Sequence, residues 1–182
     1  MANVQRGRLD LTVVTTIRAP VEKARALRLL LGDVLLNEGG DRDKLARGWV
    51  WEGQISDCIH QNHVFRARVR DDAIEPRLLS WAANTSGGRW AERNGKQSVN
   101  LASISLSKIR LMPIPVPPRD RQRSIVKEIE GQLWACDRLT RSLNETQARS
   151  ALLRRALLAT AFSGRLTGQS SDMDMAEELA SV

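Results

Sequence analysis

The sequence predicts an α+β fold in which a small mixed domain precedes one long coiled-coil-type α-helix. Short helix and strand signals alternate as far as residue 111, whereas residues 119–163 contain no proline and one glycine. Between these regions, residues 112–118 include four prolines, which fix φ and favour extended backbone in the residue before them. We therefore expect a domain at 1–111, an extended connector at 112–118, a helix at 119–165 and a disordered acidic tail at 166–182.

The first half of the domain carries signals for a helix and a strand. Residues 21–31 indicate a helix, and an apolar run from Val34 to Leu36 then ends at Gly39 and Gly40. In residues 65–70, apolar and polar side chains alternate with period two. This alternation predicts a half-buried strand with a face of arginines.

The second half of the domain is predicted to contain one more helix and one more strand. Residues 76–84 indicate a helix that begins on a proline and ends near Gly87 and Gly88. Residues 99–111 carry spaced aliphatic side chains, which predict a strand and a turn.

The helix predicted at 119–165 has the heptad pattern of a coiled coil with polar interruptions. Its length would be on the order of 65 Å at about 1.5 Å per residue, so the preceding domain cannot cover its apolar stripe. We therefore expect a partner helix, and Gly164 is a natural end for the pattern. The residues expected to pair are Ile125, Ile129, Cys136, Leu139, Leu143, Leu153 and Leu157.

The charge distribution indicates an anionic partner. The chain has a formal charge of +7, divided as +6 in residues 1–118, +5 in 119–165 and −4 in 166–182. The positive charge therefore belongs to the domain and the helix rather than to an unstructured arm. Nucleic acid is the usual partner of such a surface, and the alternative is a solvated basic surface with no partner.

The composition also indicates the compartment. The two cysteines are distant in sequence, no run of 18 apolar residues could cross a membrane, and residues 1–10 lack the apolar core of a signal peptide. We expect a cytoplasmic protein with no membrane segment.

A search for catalytic motifs finds none, so we expect no catalytic residues and no cofactor. The sequence lacks a P-loop, a dinucleotide-binding glycine motif and the Asn-Pro-Pro-aromatic motif of adenine methyltransferases. Cys58, His60 and His63 could supply zinc ligands. However, Cys58 and His60 would face opposite to His63 on a strand, and no second ligand pair follows. We expect a polar strand entry or a DNA-facing loop instead of a metal site.

Three polar segments are the candidates for binding DNA. They are residues 38–48, 61–63 and 86–98, which we expect to be loops rich in glycine, cations and side-chain amides. Asn and Gln can bond adenine, Arg and Lys can bond guanine, and either cation can hold phosphate. The alternative for each single residue is a solvated loop. The candidate DNA-binding residues are Arg42, Lys44, Arg47, Gln61, Asn62, His63, Arg89, Arg93 and Lys96.

Several motifs resemble those of the specificity subunits of type I restriction–modification systems. Residues 32–41 resemble the GD-[IV]-L-x-x-x-G-G segment of their target-recognition domains, and residues 59–68 resemble the QNH-x-FR-x-R segment. Residues 109–124 resemble the L-x-P-I-P-x-P-P-x-x-x-Q motif before the family's helix, and residues 153–166 resemble the end of that helix. Together these motifs cover nearly all of residues 1–166.

The resemblance implies a subunit that recognises double-stranded DNA without catalysing a reaction. In the family, two target-recognition domains are joined by two antiparallel helices that set the spacing of a bipartite DNA site. Methyltransferase subunits and restriction subunits bind to this assembly and carry the chemistry. The resemblance therefore implies that residues 1–111 form a target-recognition domain and that 119–165 form the spacer and dimerisation helix.

The chain departs from the family pattern in two ways. It has one domain and one helix, which is half of a typical subunit, so two copies could pair through their helices and recognise a palindromic bipartite site. In addition, residues 1–11 resemble the middle of a recognition domain, so the family pattern places about 50 residues of a domain of roughly 150 before this point. The alternative function is a truncated protein whose helix docks methyltransferase or another specificity subunit without recognising DNA.

Overall fold

The computed structural model describes residues 2–99 and 101–165, so the tail expected at 166–182 lies outside the described residues. The chain divides into two compact units, Met1–Lys127 and Glu128–Val182. In chain order the helices and strands are β1 (Val4–Gln5), β2 (Arg8–Leu9), α1 (Val21–Leu27), β3 (Val34–Asn37), β4 (Gly39–Gly40), β5 (Gly48–Val50), β6 (Val64–Ala67), α2 (Pro76–Ala82), α3 (Gly88–Asn94), β7 (Lys96–Gln97), β8 (Ala102–Ser103), α4 (Leu106–Ile109) and α5 (Arg119–Phe162). The predicted α+β class with a long C-terminal helix is confirmed.

The strands of the first unit form three small antiparallel sheets. β1 and β2 form a hairpin, β3 lies between β5 and β6, and β8 lies between β4 and β7. Gly48 on β5 approaches β3 so closely that a Cβ atom would lie 1.7 Å from the carbonyl oxygen of Leu35. Only glycine can occupy this position without moving the strand.

Strand β3 is the centre of the domain because both of its faces are buried. Val34 and Leu36 belong to one apolar cluster together with Leu45 and Ile104. Leu35 points the other way, into a second cluster that contains Trp51. The continuous apolar run in the sequence is therefore that of a strand covered on both sides.

The segment after α2 differs from the prediction of a helix end followed by a loop. The chain passes through a wide π-helical turn, Ala83–Gly87, and continues as α3. Gly87 and Gly88 have ordinary helical φ angles and are buried. A Cβ atom at Gly87 would lie 2.7 Å from the Sδ atom of Met112. These glycines allow close packing rather than ending the helix.

Other elements are shorter than predicted or differ in type. The helix expected at 21–31 ends at Leu27, and the strand expected at 65–70 is Val64–Ala67. The region 99–111 contains β8 as expected, but it also contains the helix α4 where a turn was predicted. The Oγ atom of Ser105 accepts a hydrogen bond from the amide of Lys108 and so caps the first turn of α4.

The start of α5 is part of the first unit. Residues 112–118 contain neither helix nor strand, and α5 begins at Arg119. The side chain of Gln122 is buried and donates to the carbonyl oxygens of Ala73 and Pro117, both at 3.0 Å. It also accepts a hydrogen bond of 2.7 Å from the amide of Glu75. Gln122 therefore fixes the first turn of the helix to the connector and to the loop that precedes α2.

The end of α5 has the hydrogen bonds of a Schellman motif. Gly164 has φ +72°, its amide donates to Ala161, and the amide of Arg165 donates to the carbonyl of Thr160. Over its 44 residues the helix would be about 66 Å long. Within residues 2–99 and 101–165, no helix combines the length and the hydrophobicity of a membrane span.

Candidate nucleic-acid interface

The segment 61–63 forms a tight, exposed turn at the entry to β6. The amide of Val64 donates to the carbonyl of Gln61 at 3.1 Å, which closes the turn. Gln61, Asn62 and His63 are all exposed. The Nδ1 atom of His63 lies 2.8 Å from the Oε2 atom of Glu38. The turn therefore presents two amides and an imidazole to solvent, and the contact with Glu38 holds the imidazole of His63 in place.

The segment 38–48 is a short strand and a 3-10 turn, Arg42–Lys44, rather than an open loop. The Nε atom of Arg42 donates to the carbonyl of Glu92 on α3 at 3.1 Å. Lys44 pairs with Asp41, and this hydrogen bond and positive charge lower the pKa of the Asp41 carboxyl. Arg42 is exposed and Lys44 is half-exposed, so both can reach an anionic partner.

Arg47 is in a different environment from the other predicted cations of this segment. It is half-buried, and its Nε atom is buried with no hydrogen-bond partner among the described residues. Arg47 was predicted to be an exposed loop residue like Arg42 and Lys44, but its side chain is partly buried.

The predicted loop at 86–98 is mostly the helix α3, so that part of the prediction is wrong. Arg89 and Arg93 lie four residues apart on α3, which places them on one face of the helix, and both are exposed. Lys96 follows on β7 and is also exposed. The three cations are therefore carried by regular elements.

Backbone pairing brings the three polar segments to one edge of the domain. Ser103 on β8 pairs with Gly39 on one side and with Lys96 on the other. The amide of Glu38 donates to the carbonyl of His63 at 3.2 Å, and the carbonyl of Glu38 accepts from Ile104 at 2.9 Å. We call this region the polar edge. It consists of Arg42, Lys44, Gln61, Asn62, His63, Arg89, Arg93 and Lys96.

Two further cations near the polar edge were not singled out from the sequence. Arg6, in the β1–β2 turn, donates to the carbonyl oxygens of Asp43, at 2.9 Å, and Asn84. Lys108 donates to the carbonyl of Asn94 at 2.8 Å. No local pattern marks Arg6, because its partners are 37 and 78 residues away in the sequence.

The arginine face predicted for β6 supports the domain itself. Arg68 makes a two-pronged ion pair with Asp33, with distances of 2.7 and 2.8 Å, and the Asp33 side chain is 1% exposed. Hydrogen bonding to Asp33 raises the pKa of Arg68. Arg66 donates to the carbonyls of Ala26 and Arg28, at 3.0 and 2.8 Å. These arginines hold the chain before β3 and do not lie on the polar edge.

The potential zinc ligands are engaged separately. Burial raises the pKa of the Cys58 thiol, which disfavours the thiolate that zinc requires. The Nδ1 atom of His60 lies 2.9 Å from the carbonyl oxygen of Val64, while His63 pairs with Glu38. Among residues 2–99 and 101–165, no three His, Cys, Asp or Glu side chains form a group that could hold a metal ion.

The apolar stripe predicted on α5 is largely uncovered in the single chain. Leu139, Leu143, Leu153 and Leu157 are all exposed, as is Cys136. Toward the start of the helix, Ile125 and Ile129 are half-buried. Trp134 is exposed, and the guanidinium of Arg138 lies 5.0 Å from the centre of its ring. Exposed leucines at heptad spacing are typical of a helix that binds another helix.

Comparison with known proteins identifies relatives, although no protein-family model matches the chain. The StySPI specificity subunit of a type I restriction enzyme from Salmonella potsdam is 30% identical over 109 residues, which is 59% of this chain and 24% of the relative. The EcoKI specificity subunit from Escherichia coli K12 is 24% identical over 172 residues, or 93% of this chain and 37% of the relative. The chain is a relative of the type I restriction specificity subunits. The resemblance expected from its motifs is therefore confirmed.

A third relative is also a specificity subunit of a type I restriction enzyme. The EcoDI specificity subunit from Escherichia coli is 30% identical over 92 residues, which is 50% of this chain and 20% of the relative. The chain thus spans a fifth to rather more than a third of the length of these relatives. The EcoKI match extends over most of both the domain and the helix.

Proposed function

We propose that this chain recognises DNA as one half of a type I specificity subunit and does not itself catalyse a reaction. The observation that carries this proposal is the polar edge, where segments distant in sequence place exposed cations, amides and an imidazole together on the domain. Those side chains are the ones that bind phosphate and the edges of bases. The relatives named as specificity subunits of type I restriction enzymes support the proposal.

In this proposal the two halves of the chain have separate roles. The domain contacts double-stranded DNA through the polar edge, with Arg42, Arg89 and Arg93 on phosphate and residues 61–63 at the bases. The helix binds another helix through its exposed leucines. Either a second copy or another specificity subunit can supply that helix, and methyltransferase and restriction subunits act on the DNA that the assembly positions. A dimer would recognise a palindromic site in two parts.

A second candidate function keeps the helix but not the DNA contact. The exposed leucines on α5 suit a protein that only docks methyltransferase or another specificity subunit. This alternative predicts association with those subunits and no sequence preference for DNA. DNA binding by the domain therefore distinguishes the two candidates.

The test is selection of duplexes from a random DNA library by the full chain, together with the methyltransferase of its own restriction system, at a stated salt concentration. We expect enrichment of a defined sequence. The double variant Arg89→Ala with Arg93→Ala should weaken binding about equally on all sequences, by roughly tenfold, and should flatten the dependence on salt. Arg18→Ala is the control, because Arg18 is exposed but lies outside the polar edge. Enrichment of no sequence above the random pool would favour the docking protein.

A further inference from the structure

The contact between Glu38 and His63 determines which hydrogen-bonding group His63 presents to solvent. The Nδ1 atom of His63 lies 2.8 Å from the Oε2 atom of Glu38, a normal hydrogen-bond distance. An ionised carboxylate can only accept hydrogen bonds, so Nδ1 must carry the hydrogen. In a neutral imidazole with the hydrogen on Nδ1, the other ring nitrogen, Nε2, is an acceptor.

Glu38 is well placed to hold this arrangement because its backbone is fixed on both sides. Its amide donates to the carbonyl of His63, and its carbonyl accepts from the amide of Ile104, whose side chain is buried in the core. The Glu38 side chain is 30% exposed, while the His63 side chain is 70% exposed. The carboxylate is therefore the anchored partner, and the imidazole projects from the polar edge.

We propose that Glu38 is a positioning residue that locks His63 in the Nδ1–H tautomer, so that Nε2 accepts a hydrogen bond from a base amino group. In the major groove such donors are N6 of adenine and N4 of cytosine. Guanine and thymine instead present acceptors at the corresponding atoms, which cannot pair with an acceptor nitrogen. His63 would then favour adenine or cytosine at one position of the recognised sequence. This inference rests on the proposed function and specifies the chemistry of that same surface.

The tautomer can be tested without DNA. The chain has only two histidines, His60 and His63, so nitrogen-15 NMR of the imidazoles gives two ring systems, and His63→Ala assigns them. At a pH where the rings are neutral, we expect the hydrogen of His63 on Nδ1 in the full chain. In Glu38→Ala the ring should shift toward the mixture of tautomers found in free histidine. A His63 ring with its hydrogen on Nε2 in the unaltered chain would overturn the inference.

The specificity role is tested by library selection with three variants. His63→Ala and Glu38→Ala should both relax preference at the same single position, by about tenfold, the effect of one hydrogen bond between a protein and a base. Glu38→Gln should keep the preference, because the amide oxygen of glutamine also accepts from Nδ1–H. A purely structural role for Glu38 would reduce binding to every sequence and would leave the preference at that position unchanged.

Three outcomes separate this inference from the function on which it rests. If the unaltered chain enriches no sequence, the proposed function fails and this inference fails with it. If the chain enriches a sequence but His63→Ala changes no position, the DNA-recognition function stands and the inference is wrong. If His63→Ala weakens binding to all sequences and flattens the salt dependence, His63 contacts phosphate, which also overturns the inference.

Discussion

Leu45 in the domain and Leu143 on α5 are the same side chain in opposite surroundings: Leu45 is 1% exposed, whereas Leu143 is 64% exposed. Leu45 packs with Val34 and Ile104 in the cluster on one face of β3. Leu143 belongs to a stripe that the single chain leaves uncovered. The domain therefore obtains its hydrophobic stabilisation within the chain, while the helix can obtain comparable stabilisation only by binding a partner.

The largest expected effect is the difference in unfolding free energy between alanine variants of these two leucines. Leu45→Ala should lower the free energy of unfolding of the domain by about 3–4 kcal/mol, because it leaves a cavity in a closed core. Leu143→Ala should change it by less than about 0.5 kcal/mol, since little is buried there. Urea unfolding followed by tryptophan fluorescence measures both, because Trp51 is buried in the domain. Equal losses of unfolding free energy in the two variants would contradict the difference in burial between Leu45 and Leu143.

The exposed leucines of α5 are the expected contact with a partner helix. If two copies pair through α5, Leu139→Asp combined with Leu143→Asp should raise the dissociation constant of the dimer by at least about 100-fold, because it places charges where aliphatic area would be buried. Ala148→Asp is the control on the face opposite the stripe. Sedimentation velocity across a concentration series measures the effect. A chain that stays monomeric at tens of micromolar would rule out self-pairing and leave another protein as the partner.

A smaller effect is expected where a charge is buried inside the domain. Arg68→Ala leaves the carboxylate of Asp33 buried, and among the described residues the amide of Leu30 is then its one remaining hydrogen-bond partner. The expected loss is about 2–3 kcal/mol in the free energy of unfolding, at the low end for a broken buried ion pair because Arg68 is partly solvated. Arg70→Ala, two residues away at an exposed position, should have almost no effect. Similar losses in both variants would show that the ion pair does not stabilise the domain.

The smallest expected effect lies within α5 itself. Gln122→Ala removes three hydrogen bonds at the buried start of the helix and should cost about 1–2 kcal/mol. Gln147→Ala, on the exposed part of the same helix, should cost almost nothing. Thermal unfolding monitored by circular dichroism compares the two variants. A neutral Gln122→Ala would mean that the helix start is not fixed to the domain through this side chain.

Much of the fold could be predicted because its signals are local. The prolines of 112–118 and the heptads after them predicted where the long helix begins, and Gly164 predicted where it ends. The apolar run at Val34 was visible in the sequence, but its position as a central strand buried on both faces was not predicted. The division into a recognition domain, a connector and a spacer helix as functional parts stays a prediction, as do the individual DNA-binding and helix-pairing residues.

The errors of prediction lie where packing overrides local signals. Gly87 and Gly88 predicted a helix end, yet the chain continues through them into α3, and Met112 packs where a Cβ atom at Gly87 would lie. The residues around Leu106 were predicted as strand and turn, yet they form a helix capped by Ser105. Packing at Gly87 and a single cap at Ser105 are features that the periodicity of these segments does not contain.

The sequence by itself determined where the long helix begins, its apolar stripe and the family resemblance, because proline geometry, heptad spacing and motif order are all local or linear properties. Only the tertiary structure decided which polar side chains are engaged within the domain. Arg66 donates to a backbone carbonyl, Arg68 pairs with Asp33, and Arg47 is half-buried. Glu38 contacts His63 across 25 residues of sequence. Hydrogen bonds and burial depend on what folds against each side chain, and no spacing along the chain contains that information.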